Sequence, residues 1–551
     1  MTARLVRRER WLIVATVCAL TLPFVAKPFH IDDDVYIKGA RQILAEPWNP
    51  LGGTQHLLGE TMPVYHFTQH PPLVSYWIAL AVRATGEARE IPLHLWFLPF
   101  PLLAGLAMLQ ISRRFTRSPA LATSLLLGTP AFLIMSHGLM TDLPMLSLGL
   151  AATACFIRGV DERRAGLLAV AGLLLAAASL VQYRALILVP LLGAYAYLRG
   201  TLRQATWLAV PTICVSLLWS LHTYSEFGVV HMLDAGSWLE FQPVRIVSDA
   251  TAYVAFLGGT SVFPALSVWS ARGTRRSAWF GLSVVSLGIA ATLPATYTWN
   301  ERAAFFTFFF AGSTLLMAVP PWRSVAGALR SAVPSRWCDE TKDDVFLVAM
   351  MAVPLASQIV LNLFASARSL LLTLPFLILL LVRRLNVPGP DHAAGRVGVV
   401  LGVGLSLAIG VADYDYASAA RDVARYSSAV NPDGPRWFTG EWGFRHYIER
   451  EGFAPIASDG AGVREGDLLA VPDTPAPAFL EDSLVARLRP VGVIESAQHF
   501  PLKVMSFSAH AGFYSNFHGA LPFALSAGPL ERVRLFRITA PVASATSAVH
   551  P

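Results

Sequence analysis

Apolar runs long enough to cross a bilayer recur along most of this 551-residue chain, and no other feature restricts its fold so strongly. A helical span needs about 20 predominantly apolar residues. Candidate spans fall near 11–29, 92–111, 118–136, 142–158, 165–181, 185–199, 205–224, 249–271, 277–297, 302–319, 345–364, 369–382 and 396–412. Two of these divisions rest on length. The stretch 165–198 carries Arg184 as its only charge and is too long for one span. The stretch 345–382 has the same problem, with Arg368 inside it. Each reads as two helices joined by a tight hairpin with the arginine at the turn. Only 14% of residues are charged and mean hydropathy is +0.50. Soluble domains carry about 25% charged residues, so a bilayer is the solvent that accommodates this chain.

Basic clusters orient the spans. Arg4, Arg7, Arg8 and Arg10 precede the first span, and Arg113, Arg114 and Arg117 follow the second. Later clusters are Arg158, Arg163 and Arg164, then Arg199 and Arg203, then Arg272, Arg275 and Arg276. Arg323, Arg330, Arg336 and Lys342 form another, and Arg383, Arg384 and Arg396 the last. With about 13 transmembrane helices every cluster falls on one side, which the positive-inside rule makes cytoplasmic. The N-terminus is then cytoplasmic, and the loop 30–91 and the tail 413–551 are extracytoplasmic. The expected architecture is a polytopic α-helical membrane protein. Its transmembrane domain covers 1–412, with interfacial helices in the first outer loop (30–91). A small C-terminal α/β domain covers 413–540, and a disordered tail covers 541–551.

The first apolar run follows four arginines but meets no small-residue cleavage site, so it reads as a retained signal-anchor. The basic balance of +7 is explained by topology, and no nucleic-acid motif accompanies it. Cys18, Cys155, Cys214 and Cys338 show no metal or disulfide spacing. The tail mixes a helix at 416–430, a polar-aromatic segment at 436–444, a helix at 445–451 and a strand at 467–471.

The first loop opens on His30-Ile31-Asp32-Asp33-Asp34-Val35-Tyr36. Tyr36, Ala40, Ile43 and Leu44 share a helical face, which predicts a surface helix with acids at its N-terminus, where the dipole favours them. A simple capping cluster is the competing reading. Further on comes His66-Phe67-Thr68-Gln69-His70-Pro71-Pro72-Leu73, where Pro-Pro fixes a turn ahead of a second interfacial helix. His66 and His70 could touch a metal or a phosphate, but histidines near an interface are commonly polar anchors. No cofactor is assigned, and a divalent metal is compatible with the sequence without being indicated by it. Asp142, Arg184, Arg368, Glu301 and Arg302 all fall at outer span ends, against the topological trend. Ionisable groups there mark substrate paths, and arginine suits phosphate through its planar fork of donors. Snorkelling or helix capping is the alternative for each taken singly.

In this ordered set the chain resembles membrane glycosyltransferases of the GT-C superfamily, in particular bacterial protein O-mannosyltransferase-like enzymes and the aminoarabinose transferase that modifies lipid A. The resemblance rests on Asp33-Asp34-Val35-Tyr36, His70-Pro71-Pro72-Leu73, Asp142, Arg184, and Arg368 with Pro375. It covers residues 1–412 in architecture and 30–220 most clearly. The sequence departs from the family in having Asp34 for the usual Glu, and His70 for the usual Lys with Gln69 before it. Neither the sugar nor the acceptor therefore carries over.

The resemblance implies a glycosyltransferase of the bacterial plasma (inner) membrane acting at its outer face. The donor is then a polyprenyl-phosphate-linked sugar, because nucleotide sugars stay in the cytoplasm, and the acceptor is a lipid, protein or glycan. Asp33 is expected as general base, with Asp34 orienting the acceptor or supporting charge at the anomeric carbon. Arg184, Arg368 and His70 are expected on the donor phosphate, and Asp142, Tyr36, Arg302 and His66 in substrate positioning. Asp32 reads as a cap or spare acid. One displacement implies inversion. A multi-pass transporter or flippase for a lipid-linked or anionic substrate is the competing class, although inverted repeats with broken helices are not evident. A scaffold whose tail binds partners is a third.

Overall fold

The computed structural model describes residues 3–237, 242–270, 337–384, 393–430 and 434–540. The expected spans 277–297 and 302–319, with Glu301 and Arg302, and the tail 541–551 lie outside the described residues.

Among the described residues five helices are long and apolar enough to cross a bilayer: Glu90–Phe115, Asp142–Glu162, Leu202–Phe227, Asp339–Leu361 and Gly395–Ser428. Shorter apolar helices include Leu73–Thr85, Ala165–Ser179, Tyr183–Leu198 and Leu374–Arg383. Trp207, Val210, Ile213, Leu217, Leu218 and Leu221 are all exposed on one of the long helices. Such a surface is tolerable in lipid and a liability in water. The chain has the architecture of an integral membrane protein.

Both hairpins expected from length are present. Arg184 sits in the 3-10 turn Tyr183–Ile187 that follows Ala165–Ser179, and Arg368 opens the 3-10 turn Arg368–Leu372 between Asp339–Leu361 and Leu374–Arg384. Several boundaries differ from expectation. The expected first span 11–29 is the helix Ala3–Thr21 followed by the 3-10 turn Leu22–Phe24. The expected span 118–136 is broken into Pro119–Leu127 and Pro130–Met135, because Pro130 has no N–H to continue the first helix. The expected span 396–412 and helix 416–430 are one helix, Ala393–Ser428. At about 1.5 Å per residue it is about 54 Å long, well beyond a hydrocarbon core of about 30 Å. The division expected between 412 and 413 therefore falls inside this helix, and the C-terminal region begins after it.

That region holds a five-stranded mixed sheet in the order Ala454–Pro455, Arg436–Phe438, Leu468–Pro472, Arg532–Ile538, Leu488–Glu495. The first three strands are parallel, and the helix Trp442–Arg450 makes the crossover between Arg436–Phe438 and Ala454–Pro455. The other two pairings are antiparallel.

In the first loop, the helix Asp33–Ala45 packs on the helix Leu73–Thr85. They approach so closely at Gly39 that a Cβ there would lie 2.7 Å from Ser75 Oγ. The helix Trp442–Arg450 docks on the same loop through Gly443, where a Cβ would lie 2.4 Å from the Phe29 carbonyl oxygen.

Charge is spent differently at the two ends of the bundle. At the end away from the first loop, Asp343 is shared by Arg114, Arg199 and Arg383, and Arg383 also reaches Asp344 at 3.0 Å. The arginines that read as topological markers thus also join helices. At the first-loop end, fully buried Asp413 accepts from Lys27 Nζ at 2.8 Å and from the Tyr514 hydroxyl at 2.8 Å, with His30 Nε2 at 3.4 Å. Leaving either charge of a buried pair alone costs about 3–5 kcal/mol, whereas an apolar pair of similar volume is often neutral. Asp413→Leu and Lys27→Met should each lower the melting temperature in detergent sharply, and the double variant should recover most of the loss. Additive losses in the double variant would contradict this coupling.

Candidate functional site

Successive residues in the first turn of a helix point about 100° apart, so the three aspartates meet three different environments. Asp33 turns inward. Its carboxylate accepts from the His30 N–H at 2.9 Å and the Leu139 N–H at 2.8 Å, and it is 1% exposed. Burial pushes its pKa up, against the field of Lys27 and the two N–H donors. Asp34 turns to the C-terminal region, with His446 Nδ1 at 2.8 Å and Lys38 Nζ at 2.8 Å. Burial opposes its ionisation, but the bond to His446 and the Lys38 charge outweigh it and hold its pKa below the ordinary carboxylate value. Asp32 turns the third way and meets Arg368 Nη1 at 3.1 Å, with its side chain 32% exposed. Asp33 and Asp34, expected to react, are therefore the buried and engaged members, and Asp32, expected to be spare, is the accessible one.

Around Asp32 the structure gathers most of the other expected residues. Arg368 Nη1 lies 3.7 Å from Asp142 Oδ2. Gln182 Nε2 donates to Thr141 Oγ1 at 2.6 Å and reaches Asp142 Oδ1 at 3.5 Å. The Tyr36 hydroxyl is 3.4 Å from the same Thr141. Burial and the nearby charges of Asp32 and Asp142 raise the Tyr36 pKa far above its usual value, so it stays a donor. Arg184 donates to the Asn362 side-chain oxygen, and Asn362 is held in turn by Gln358 and Tyr253. Among the described residues Arg184 has no carboxylate within ion-pair distance, so its only hydrogen-bond partner is neutral.

His70 belongs to this group. Burial first, and then the charge of Arg184, press its pKa down to about 3, so it is a neutral imidazole at physiological pH. Its segment is anchored by a chain of donors. Trp219 Nε1 donates to the Tyr183 hydroxyl at 2.9 Å, and that hydroxyl lies 2.6 Å from His231 Nδ1. His231 Nε2 is 2.7 Å from the Thr68 carbonyl oxygen, which fixes the tautomer with the proton on Nε2. His66 stands apart, half-exposed against Asp234 at 3.0 Å. Arg302 lies outside the described residues.

Tyr36, His70, Pro71 and Pro72 form one side of a cavity of about 500 Å³. Its other walls are Lys38, Arg41, His56 and Ser75 of the first loop, and Arg445 and Glu449 of the C-terminal helix. Arg445 is fixed by Glu441 at 2.5 Å, and Glu441 also accepts the Leu58 N–H at 2.8 Å. Lys38 bridges Asp34 and Glu449, at 2.8 Å each. The cavity is thus built jointly by the first loop and by a helix about 400 residues later. Among the described residues no group of three or more His, Cys, Asp or Glu is arranged to hold a metal ion.

Sequence reasoning missed Gln182, Asn362, His231, Asp413 and His446. All but His446 are polar residues beside or within an apolar run, and that was the one available signal; His446 lies in the charged tail helix Trp442–Arg450. Two outcomes follow. Asp33→Asn presents an amide NH₂ to a backbone N–H and should cost about 1–3 kcal/mol in thermal stability. The unfolded chain takes a proton at His70 near pH 6.5 that the folded chain refuses until about pH 3. Stability from this group is complete above pH ~6.5 and is lost as pH falls. His70→Gln should flatten the decline in melting temperature between pH 7.5 and 5, and identical slopes would contradict it.

Residues 69–225, which include His70, Asp142 and Arg184, match the family model described as dolichyl-phosphate-mannose-protein mannosyltransferase. No curated protein matches the chain. Among solved structures, the oligosaccharyltransferase of Archaeoglobus fulgidus, in complex with Zn and sulfate, is 12% identical with a TM-score of 0.46, over 82% of this chain and 62% of that one. This chain therefore spans less than two thirds of that protein's length. ArnT from Cupriavidus metallidurans bound to undecaprenyl phosphate is 13% identical with a TM-score of 0.43, over 98% of this chain and 100% of that one. The resemblance to GT-C membrane glycosyltransferases is borne out by the family match over residues 69–225.

Proposed function

We propose that this protein transfers a sugar from a polyprenyl-phosphate-linked donor to an acceptor hydroxyl, at the membrane face that carries the first loop. That face is the extracytoplasmic one under the positive-inside rule. The observation that carries this reading is Arg184. A half-buried guanidinium without a carboxylate partner among the described residues, beside Arg368 and a neutral His70, is a prepared place for an anion. A phosphate leaving group fits the planar fork of donors.

In the proposed step the acceptor oxygen attacks the anomeric carbon and its proton passes to the Asp32 carboxylate. The bond from the anomeric carbon to the phosphate oxygen breaks, and its electron pair leaves on the phosphate. Arg184 and Arg368 meet that growing charge, and His70 contributes a hydrogen bond as a neutral ring. A single displacement inverts the anomeric configuration. Asp142 holds Arg368 in place and Tyr36 offers its hydroxyl to substrate. Asp33 and Asp34 hold the loop so that Asp32 is presented. Assigning the base to Asp32 follows from its exposure and its contact with Arg368, since both oxygens of Asp33 are occupied by backbone donors.

The test is transfer in vitro from a panel of polyprenyl-phosphate sugars into membrane extracts. Asp32→Asn should reduce the rate by about 10²–10⁴. Arg184→Gln should reduce it by about 10²–10³, with little change in melting temperature. If Asp32→Asn keeps full activity while a stably folded Asp33→Asn is inactive, the base is Asp33 and the present assignment fails.

A further inference from the structure

A second cavity of about 440 Å³ lies outside the site just described, on the far side of the helix Trp442–Arg450. Four arginines reach it from three elements: Arg89 ahead of the span Glu90–Phe115, Arg421 and Arg425 near the end of the helix Ala393–Ser428, and Arg450. Its acids are Glu87, Glu90 and Glu451. Glu87 is taken by Arg89, and Glu90 accepts the Tyr447 hydroxyl at 2.9 Å. Arg421 leans on its neighbour Asp422 at 3.4 Å. Arg425 and Arg450 are exposed and make no ion pair among the described residues. Four arginines thus line the cavity against three glutamates, and two of those guanidinium groups, Arg425 and Arg450, are exposed to it outside any ion pair among the described residues.

The depth of the cavity is legible from its own helices. Trp96 lies six residues beyond Glu90, about 9 Å along the helix. It is exposed and exchanges hydrogen bonds with Trp77, at 3.0 and 3.2 Å. On the other helix Tyr414 lies two turns below Arg421 and donates to the Ala26 carbonyl at 3.1 Å. Paired aromatic residues of this kind settle at the membrane–water boundary. The arginines therefore stand just above it, at the level of lipid head groups.

We propose that this cavity binds a phosphate group, supplied by the head group of an anionic phospholipid, with Arg425 and Arg450 as its principal ligands and Arg421 and Arg89 beside them. Free phosphate shares that chemistry and is the other source. The floor of the cavity bears on the acid loop, because the Tyr447 hydroxyl also accepts the Phe29 N–H at 2.7 Å, one residue before His30. The proposal assigns no reaction to the protein and stands or falls independently of glycosyl transfer.

The test uses the full chain in neutral detergent, titrated with phosphatidylglycerol or phosphatidylcholine and read by native mass spectrometry, with inorganic phosphate as competitor. Wild type should retain phosphatidylglycerol in preference to phosphatidylcholine. Arg425→Gln/Arg450→Gln should lose that preference by about tenfold or more, with its melting temperature in phosphate-free buffer unchanged. Should the double variant fold poorly, Arg450→Gln alone should lose about threefold. Retention that resists millimolar phosphate identifies a lipid head-group site, and displacement by phosphate identifies a general phosphate site; both support the proposal. Equal retention of the two lipids by wild type, or unchanged preference in the folded variants, overturns it.

Discussion

The carboxylate of Asp413 lies within a long, largely apolar helix, wholly shielded from solvent, and is tolerable only because Lys27, His30 and Tyr514 converge on it. That convergence places the end of the first helical segment, the last long helix and the C-terminal region at one point. The chain turns from the first span into the surface helix within the next few residues. His30 contributes twice, with its ring toward Asp413 and its N–H to Asp33. A charge buried in one helix therefore sets where the acid loop begins.

From that anchor the divergence of the acids follows. Asp33 ties the loop to Leu139, beside the start of the helix that carries Asp142. Asp34 ties it to His446, and through Lys38 to Glu449. With both neighbours committed to structure, Asp32 is left facing Arg368. Buried hydrogen-bonded carboxylates rigidify a site because leaving them unpaired is expensive. The same clamp brings Arg445 and Glu449 into the wall of the cavity that Tyr36 and His70 border, so the C-terminal region helps to build that cavity.

Much of the frame could be read from the sequence. The helical, membrane-spanning character of the chain, the two hairpins and the arginines at their turns follow from length and charge alone, since a bilayer sets the length and the interface sets the charge. Tyr36, His70, Asp142, Arg184 and Arg368 were all named from sequence, and the structure brings them together. What could not be read is which aspartate does what. The partners that decide it, Leu139, Arg368 and His446, lie from about 100 to about 400 residues away, and helical rotation alone treats the three acids alike. The continuity of Ala393–Ser428 was hidden for a related reason. Asp413 and Asp415 look like the end of a span, and the partners that let the helix pass through, Lys27, His30 and Tyr514 on Asp413 and His499 on Asp415, come from distant parts of the chain. The break at Pro130 was visible as a residue and was outweighed by an unbroken apolar pattern.

The central claim is that Arg184 and Arg368 form one anion site beside an accessible Asp32. An experimental structure of the protein with a non-hydrolysable polyprenyl-phosphate sugar tests it most directly. The account predicts the donor phosphate within hydrogen-bonding distance of both guanidinium groups, with the anomeric carbon on the Asp32 side. A phosphate bound elsewhere, or an anomeric carbon presented to Asp34 with Asp32 turned away, would contradict it.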